Sequence, residues 1–387
     1  MKKENSKYGY FNILRFLGAI CIAILLHWND HMLTALQLNN SLSNHKIIYY
    51  LSTHSYVFVE MFYIISGFLF AKVYMNRIIN NKEYSLKKFM LSRYIRIFPL
   101  VIISSIVMYL LDMIYYQKFN LFFSCGNLKF IDLLFDVLIG GTNTFGTSIM
   151  PINGPLWYIG PLFICYILAY LLTKIYNKKD NKILFVLPIL VGIFIIKTNF
   201  NFFLLNYSVS RGLVAFFVGL LLGNSILTNW IERAEKKQKI IFRIIILLIL
   251  MLYSYCLFVP NSNLFFGSYY DIVLSYSLIF FPLLIILLFD LKYINNLGNT
   301  KIFKFLGNIS FGIYIWNFPI MIIFVYLIKA NILNVNILSW KFFVLNIVIH
   351  IFVGSISYLL IEKEISTLLK TKIGNIAEVF NKYRDVK

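Results

Sequence analysis

The chain has 387 residues, 60% of them hydrophobic and only 13% charged, with 36 Lys and Arg against 16 Asp and Glu for a net charge of +20. A soluble globular protein carries about 25% charged residues, so this chain lacks the polar surface of an ordinary soluble enzyme, which is excluded. The surplus cations lie in short loops between apolar runs, with no polar domain to display them, which sets nucleic acid aside and makes the lipid bilayer the first partner.

Apolar runs of membrane length are predicted near residues 10–29, 53–75, 94–114, 156–175, 183–198, 203–225, 240–259, 269–290, 305–328 and 341–361. The first follows Lys2, Lys3 and Lys7, is too long for a signal-peptide core and has no small-residue cleavage site, so it is expected to remain as a span. Alternate loops are basic: those around Arg77 to Arg93, Lys174 to Lys182, Arg233 to Arg243, and Lys292 to Lys304. The loops between them hold only scattered lysines and no arginine. By the positive-inside rule this alternation predicts an all-α polytopic integral membrane protein of ten transmembrane helices with both termini cytoplasmic. One domain is expected over 1–387, closed by a short basic cytoplasmic tail at 362–387.

The longest outer connection, 115–155, contains FIDLLFDVLIGG at 130–141. Asp132 and Asp136 are four apart and share one helix face, which predicts an interfacial helix ended by Gly140 and Gly141. Cys21, Cys125, Cys165 and Cys256 lie far apart without a CxxC pair, and read as small hydrophobes; no metal is expected. No internal repeat supports an inverted-repeat transporter.

Ionisable side chains at membrane depth are costly and usually line a pathway or cavity. Here they are Arg15 and His27 in the first span, Glu60 in the second, Arg211 in the sixth and His350 in the tenth, with Lys72, Arg93, Arg96 and Glu362 at cytoplasmic ends. His27 is suited to take a proton from a hydroxyl, or is simply an interface histidine. Arg15 either serves chemistry or snorkels to lipid phosphates. Glu60, inside VFVEMFYII, must find a partner or be protonated, and is expected to serve function or pair helices, orienting His27 being the functional role open to it. Arg93 and Arg96 share a helix face behind Lys87 and Lys88, an arrangement that would grip phosphates or merely satisfy the positive-inside rule. Arg211 could meet an anionic acceptor or a lipid-carrier phosphate, and Trp157 a sugar face, although interface anchoring also explains the tryptophan.

FNILRFLGAICIAILLHW at 11–28, FVEMFYIISGFLF at 58–70, LSRYIRIFPL at 91–100, NGPLWYIGPLF at 153–163, RGLVAFFVGLLLG at 211–223, FLGNISFGIYIWNFPI at 305–320 and SYLLIEKEI at 357–365 together resemble the motifs of the type-three membrane acyltransferase family, in order along the whole chain. The resemblance implies a multi-pass protein of the bacterial inner membrane. Acyl-CoA, with acetyl-CoA expected, would be its cytoplasmic donor and a carbohydrate or glycolipid its acceptor outside, with partner proteins of envelope polysaccharide synthesis. It implies essential roles for Arg15 and His27, and maps Ser66 in the SGF turn, Arg93, Arg96 and Glu362 onto family positions. The family usually has ten residues between the arginine and the histidine; here residues 16–26 make eleven. At about 100° per residue the extra step swings one of the two off the shared face, and a single π-bulge absorbs it, so a π-bulge is predicted within 16–26. Asn317 stands where the family commonly has histidine, and an amide can contribute hydrogen bonds but not act as a base.

Two other classes compete. A transporter or flippase of lipid-linked glycans would also be polytopic and basic inside, but needs cavity charges spread over many spans, whereas these cluster in spans one to three. A polysaccharide polymerase would be expected to place arginines in large outer loops, and none is there.

Overall fold

The computed structural model describes residues 8–38, 46–81, 84–123, 129–147, 150–176, 182–258, 268–365 and 367–368; the basic tail expected beyond residue 368, the cations Lys2, Lys3, Lys7, Lys82, Lys178 and Lys179, and Cys125 lie outside them. Regular structure among the described residues is helical, apart from one isolated bridge between Phe202 and Leu205. In lipid every backbone N–H and C=O must be satisfied within its own segment, which is why apolar runs of this length resolve into helices.

Among the described residues eight helices are long and apolar enough to cross a bilayer. With the shorter helices between them they run α1 (Tyr10–Leu33), α2 (Ile48–Asn80), α3 (Leu86–Phe119), α4 (Phe130–Ile139), α5 (Gly154–Ile175) and α6 (Ile183–Thr198). Then follow α7 (Tyr207–Arg233), α8 (Lys236–Tyr255), α9 (Tyr269–Leu288), α10 (Lys301–Ile315), α11 (Asn317–Lys329) and α12 (Trp340–Lys363). The membrane-length helices are α1, α2, α3, α5, α7, α8, α9 and α12. Side-chain caps mark several starts: Ser85, Asn206, Ser268, Thr300 and Ser339 each accept a backbone N–H from the first turn that follows.

The stretch 305–328, expected as one span, is instead part of two helices, α10 and α11, bent by 56° at Trp316. Pro319 explains the place of the break. As the third residue of α11 it occupies one of the positions whose N–H has no helical partner, so a helix that restarts at Asn317 tolerates it and a continuous one would not.

The tightest crossing is that of α2 on α7. A Cβ at Gly67 would overlap the Phe216 carbonyl, and one at Gly219 would overlap that of Ile64, so the two backbones touch where both side chains are absent. Without a hydrophobic force between helices in lipid, such close approach supplies the packing energy. The acidic face of α4 turns inward: Asp132 and Asp136 are buried while Phe130, Ile131, Leu134 and Leu138 are exposed. Gly140, with φ 87°, ends the helix, and Asp136 Oδ2 accepts the Ile152 N–H at 2.8 Å, pinning the loop that leads into α5.

Among the described residues five π-helical segments interrupt the bundle, at Cys21–Leu26, Trp28–Leu33, Phe70–Met75, Tyr276–Phe280 and Tyr358–Lys363. The first lies inside the 16–26 window in which the extra residue, counted against the spacing usual in the resembled family, predicts one.

Candidate active site

A cleft with about 1020 Å³ of empty space, its open mouth included, lies at the end of the bundle where α1 and α10 begin and α12 finishes. Arg15 reaches it from α1, Ser66 and Tyr74 from α2, Arg93 and Arg96 from α3, Tyr158 and Tyr166 from α5, Asn308 and Tyr314 from α10, and Glu362 from α12. Two π segments contribute to its wall: Phe70–Met75 supplies Phe70 and Tyr74, and Tyr358–Lys363 supplies Glu362. An inserted residue re-aims the side chains of its turn, which is why such turns recur at functional sites.

Among the described residues, three guanidiniums and one carboxylate thus converge on this cavity. The Arg93 head lies 4.3 Å from the Tyr74 ring centre, with the Phe89 and Tyr166 rings at 5.6 and 5.8 Å, so its plane is held by aromatic faces. Its Nε is buried without a hydrogen-bond partner, and so is Glu362 Oε1. Unpaired buried polar atoms are rare in folded proteins and call for an explanation. Here they line a cavity with surplus positive charge, the arrangement that receives an anion carrying its own donors and acceptors.

His27 lies twelve residues from Arg15 along α1, a span of about 18 Å in a regular α-helix that the π turn at Cys21–Leu26 shortens. It is buried, 8% exposed, and does not line the cleft. Its Nδ1 is 2.7 Å from Asn317 Oδ1; Asn317 Nδ2 is 2.6 Å from the Ala23 carbonyl and 3.0 Å from His350 Nε2; and His350 Nδ1 is 2.8 Å from the Asn346 carbonyl. The Phe318 and His31 rings stand edge-on to the imidazole at 5.1 and 5.4 Å. The rings of Phe62, Tyr158 and Tyr314, with centres 6.2 to 6.5 Å apart, line the cleft's inner wall.

A third buried group joins α2 to α7. Glu60, fully buried, takes Arg211 Nε at 2.5 Å and Nη2 at 2.9 Å, a two-pronged ion pair. Arg211 also reaches the Tyr269 hydroxyl and the Tyr56 carbonyl, both at 3.3 Å, and its head lies 4.6 Å from the Trp157 ring centre.

Against known proteins, the profile described as an acyltransferase domain matches residues 8–361, nearly the whole chain. The chain belongs to the acyltransferase 3 family. No curated protein and no solved structure matches it.

As a member of that family the protein is a membrane acyltransferase, and its geometry sorts the residues singled out by sequence. Arg15, Arg93, Arg96, Ser66 and Glu362 meet in the cleft. His27 and Asn317 meet in a separate layer, while Glu60, Arg211 and Trp157 form a third group. Glu60 is spent on Arg211, and the group on His27 Nδ1 is Asn317. Sequence reasoning counts His350 among ionisable residues at membrane depth and gives it no role; Tyr74 and Tyr166 carry no sequence signal, because aromatic residues in spans are ordinarily packing.

Proposed function

We propose that this acyltransferase has ten spans with both termini at the cytoplasmic face of a bacterial inner membrane, the bent pair α10–α11 and the short α6 supplying the ninth and tenth crossings. It moves an acyl group, acetyl in our reading, from cytoplasmic acyl-CoA to a hydroxyl of a carbohydrate or glycolipid on the far side, alongside partner proteins of envelope polysaccharide synthesis. The observation that carries the donor reading is the cleft itself. Three guanidiniums suit the phosphates of CoA, and the aromatic walls suit its uncharged arm.

In this mechanism Arg15, Arg93 and Arg96 hold the donor phosphates while the thioester reaches inward past Phe62, Tyr158 and Tyr314. His27 Nε2 takes the proton of the acceptor hydroxyl as its oxygen bonds to the acyl carbon. The carbon–sulfur bond then breaks, and the CoA sulfur leaves with the proton returned from His27. Direct transfer needs no covalent acyl-enzyme, although Ser66 lines the cleft.

The test is incubation of purified protein and its Arg15→Ala and His27→Ala variants with labelled acetyl-CoA, following CoA binding and thioester loss separately. Binding abolished by Arg15→Ala, with binding kept and turnover lost in His27→Ala, supports the assignment. Absence of CoA binding by every form overturns it and favours transport. Full activity in His27→Ala removes the base assignment.

A further inference from the structure

We infer that Asn317 and His350 are positioning residues that lock His27 in one tautomer, with the proton on Nδ1 and the lone pair on Nε2. The inference rests on the reading of His27 as the base, and concerns what makes it one.

The direction of every hydrogen bond in the layer follows from the one group whose role has no alternative. The Ala23 carbonyl can only accept, so the Asn317 side-chain atom 2.6 Å from it is the amide nitrogen. The second N–H of that nitrogen faces His350 Nε2 at 3.0 Å, which must present a lone pair; His350 Nδ1 therefore carries the proton and donates to the Asn346 carbonyl at 2.8 Å. The remaining amide atom is the oxygen, and it accepts from His27 Nδ1 at 2.7 Å. Both histidine tautomers are then determined, and His27 keeps Nε2 for the acceptor hydroxyl.

The π turn in α1 is part of the same device. Within Cys21–Leu26 the His27 N–H bonds the Ile22 carbonyl, five residues back, which releases the carbonyl of Ala23, its α-helical acceptor. Asn317 takes that carbonyl. The extra residue between Arg15 and His27 and the asparagine at 317 thus act as one unit: the first frees an acceptor in α1, and the second uses it to orient its own amide. The break at Trp316 delivers Asn317 to this point, because the side chain sits at the first residue of α11, where the chain turns by 56°.

His27 tautomers are read by ¹⁵N NMR on histidine-labelled protein in lipid nanodiscs, the His27 signals being assigned by their loss in His27→Gln. The wild type should show Nδ1 protonated and Nε2 bare. Asn317→Leu should mix the two tautomers and lower kcat about 10²-fold, of the order a misdirected general base loses, with little change in the KM for acetyl-CoA. His350→Leu should have the same signature at about 10-fold, the scale of a group acting through another. His350→Gln, which retains an acceptor for the Asn317 amide, should restore both the tautomer and the rate. An Nε2-protonated His27 in the wild type overturns the inference, as does an unchanged tautomer in Asn317→Leu. If the tautomers behave as expected while no form uses acetyl-CoA, the donor reading fails and the lock on His27 stands.

Discussion

Replacing Arg211 by methionine strands a carboxylate. Glu60 is fully buried, and both its oxygens are held by Arg211 at 2.5 and 2.9 Å. Removing one partner of a buried pair costs about 3–5 kcal/mol, because the survivor keeps its desolvation penalty and loses the charge that offset it. Glu60→Leu alone should cost a similar amount, stranding the guanidinium on Trp157, Tyr269 and Tyr56. The double substitution removes both charges. What remains is the loss of two longer bonds of 3.3 Å, to the Tyr269 hydroxyl and the Tyr56 carbonyl, for about 1–2 kcal/mol in total. The double variant should therefore be more stable than either single one by about 1–4 kcal/mol. Unfolding by SDS in mixed micelles, followed by tryptophan fluorescence, measures all four proteins. Singles that each cost under about 1 kcal/mol, with a double no better than Arg211→Met, would refute the reasoning. An Arg211→Met protein of normal stability that fails only with the acceptor would make Arg211 a substrate ligand.

Three further outcomes are expected. Gly67→Ala and Gly219→Ala should each destabilise by about 1–3 kcal/mol in the same assay, since their new methyl groups meet the Phe216 and Ile64 carbonyls; wild-type stability in both would mean that the crossing of α2 on α7 is looser than described. Burial pushes the Asp136 carboxyl up to about 8, so the folded protein binds this proton more tightly than the unfolded chain does. The stability it contributes is full below about pH 4 and is lost as pH rises to about 8; Asp136→Asn, which cannot ionise, should flatten that slope in a pH series of melting curves, and an unchanged slope would count against it. Arg93→Lys keeps the charge and loses the planar head stacked on Tyr74, so the KM for acetyl-CoA should rise about tenfold with kcat little altered, and an unchanged KM would remove Arg93 from the donor site.

Much of this was legible in the sequence because it is local or compositional. Sparse charge and long apolar runs imply lipid as solvent, and lipid leaves the helix as the spanning form available to such runs. The π turn could be read from the residue count once the family's usual spacing was set beside it, since Arg15 and His27 lie on one helix and one extra residue there must either rotate a side chain away or be looped out. The convergence of Arg15, Arg93 and Arg96 was less direct, for proximity of three spans is not a property of any one of them; their family motifs, rather than their spacing, pointed to a common role.

Tertiary structure decided the partners. A buried carboxylate must be neutralised or paired, and that much follows from Glu60 lying within an apolar run. Which cation pairs with it depends on α2 crossing α7 at Gly67 and Gly219, which sets Arg211, 151 residues away in sequence, against both carboxylate oxygens. Likewise an asparagine in place of a histidine signals hydrogen bonding without naming the acceptor, and only the bend ahead of Pro319 brings Asn317 between Ala23, His27 and His350. Local chemistry determined that these groups needed partners; the direction of packed helices, a property of the whole chain, chose them.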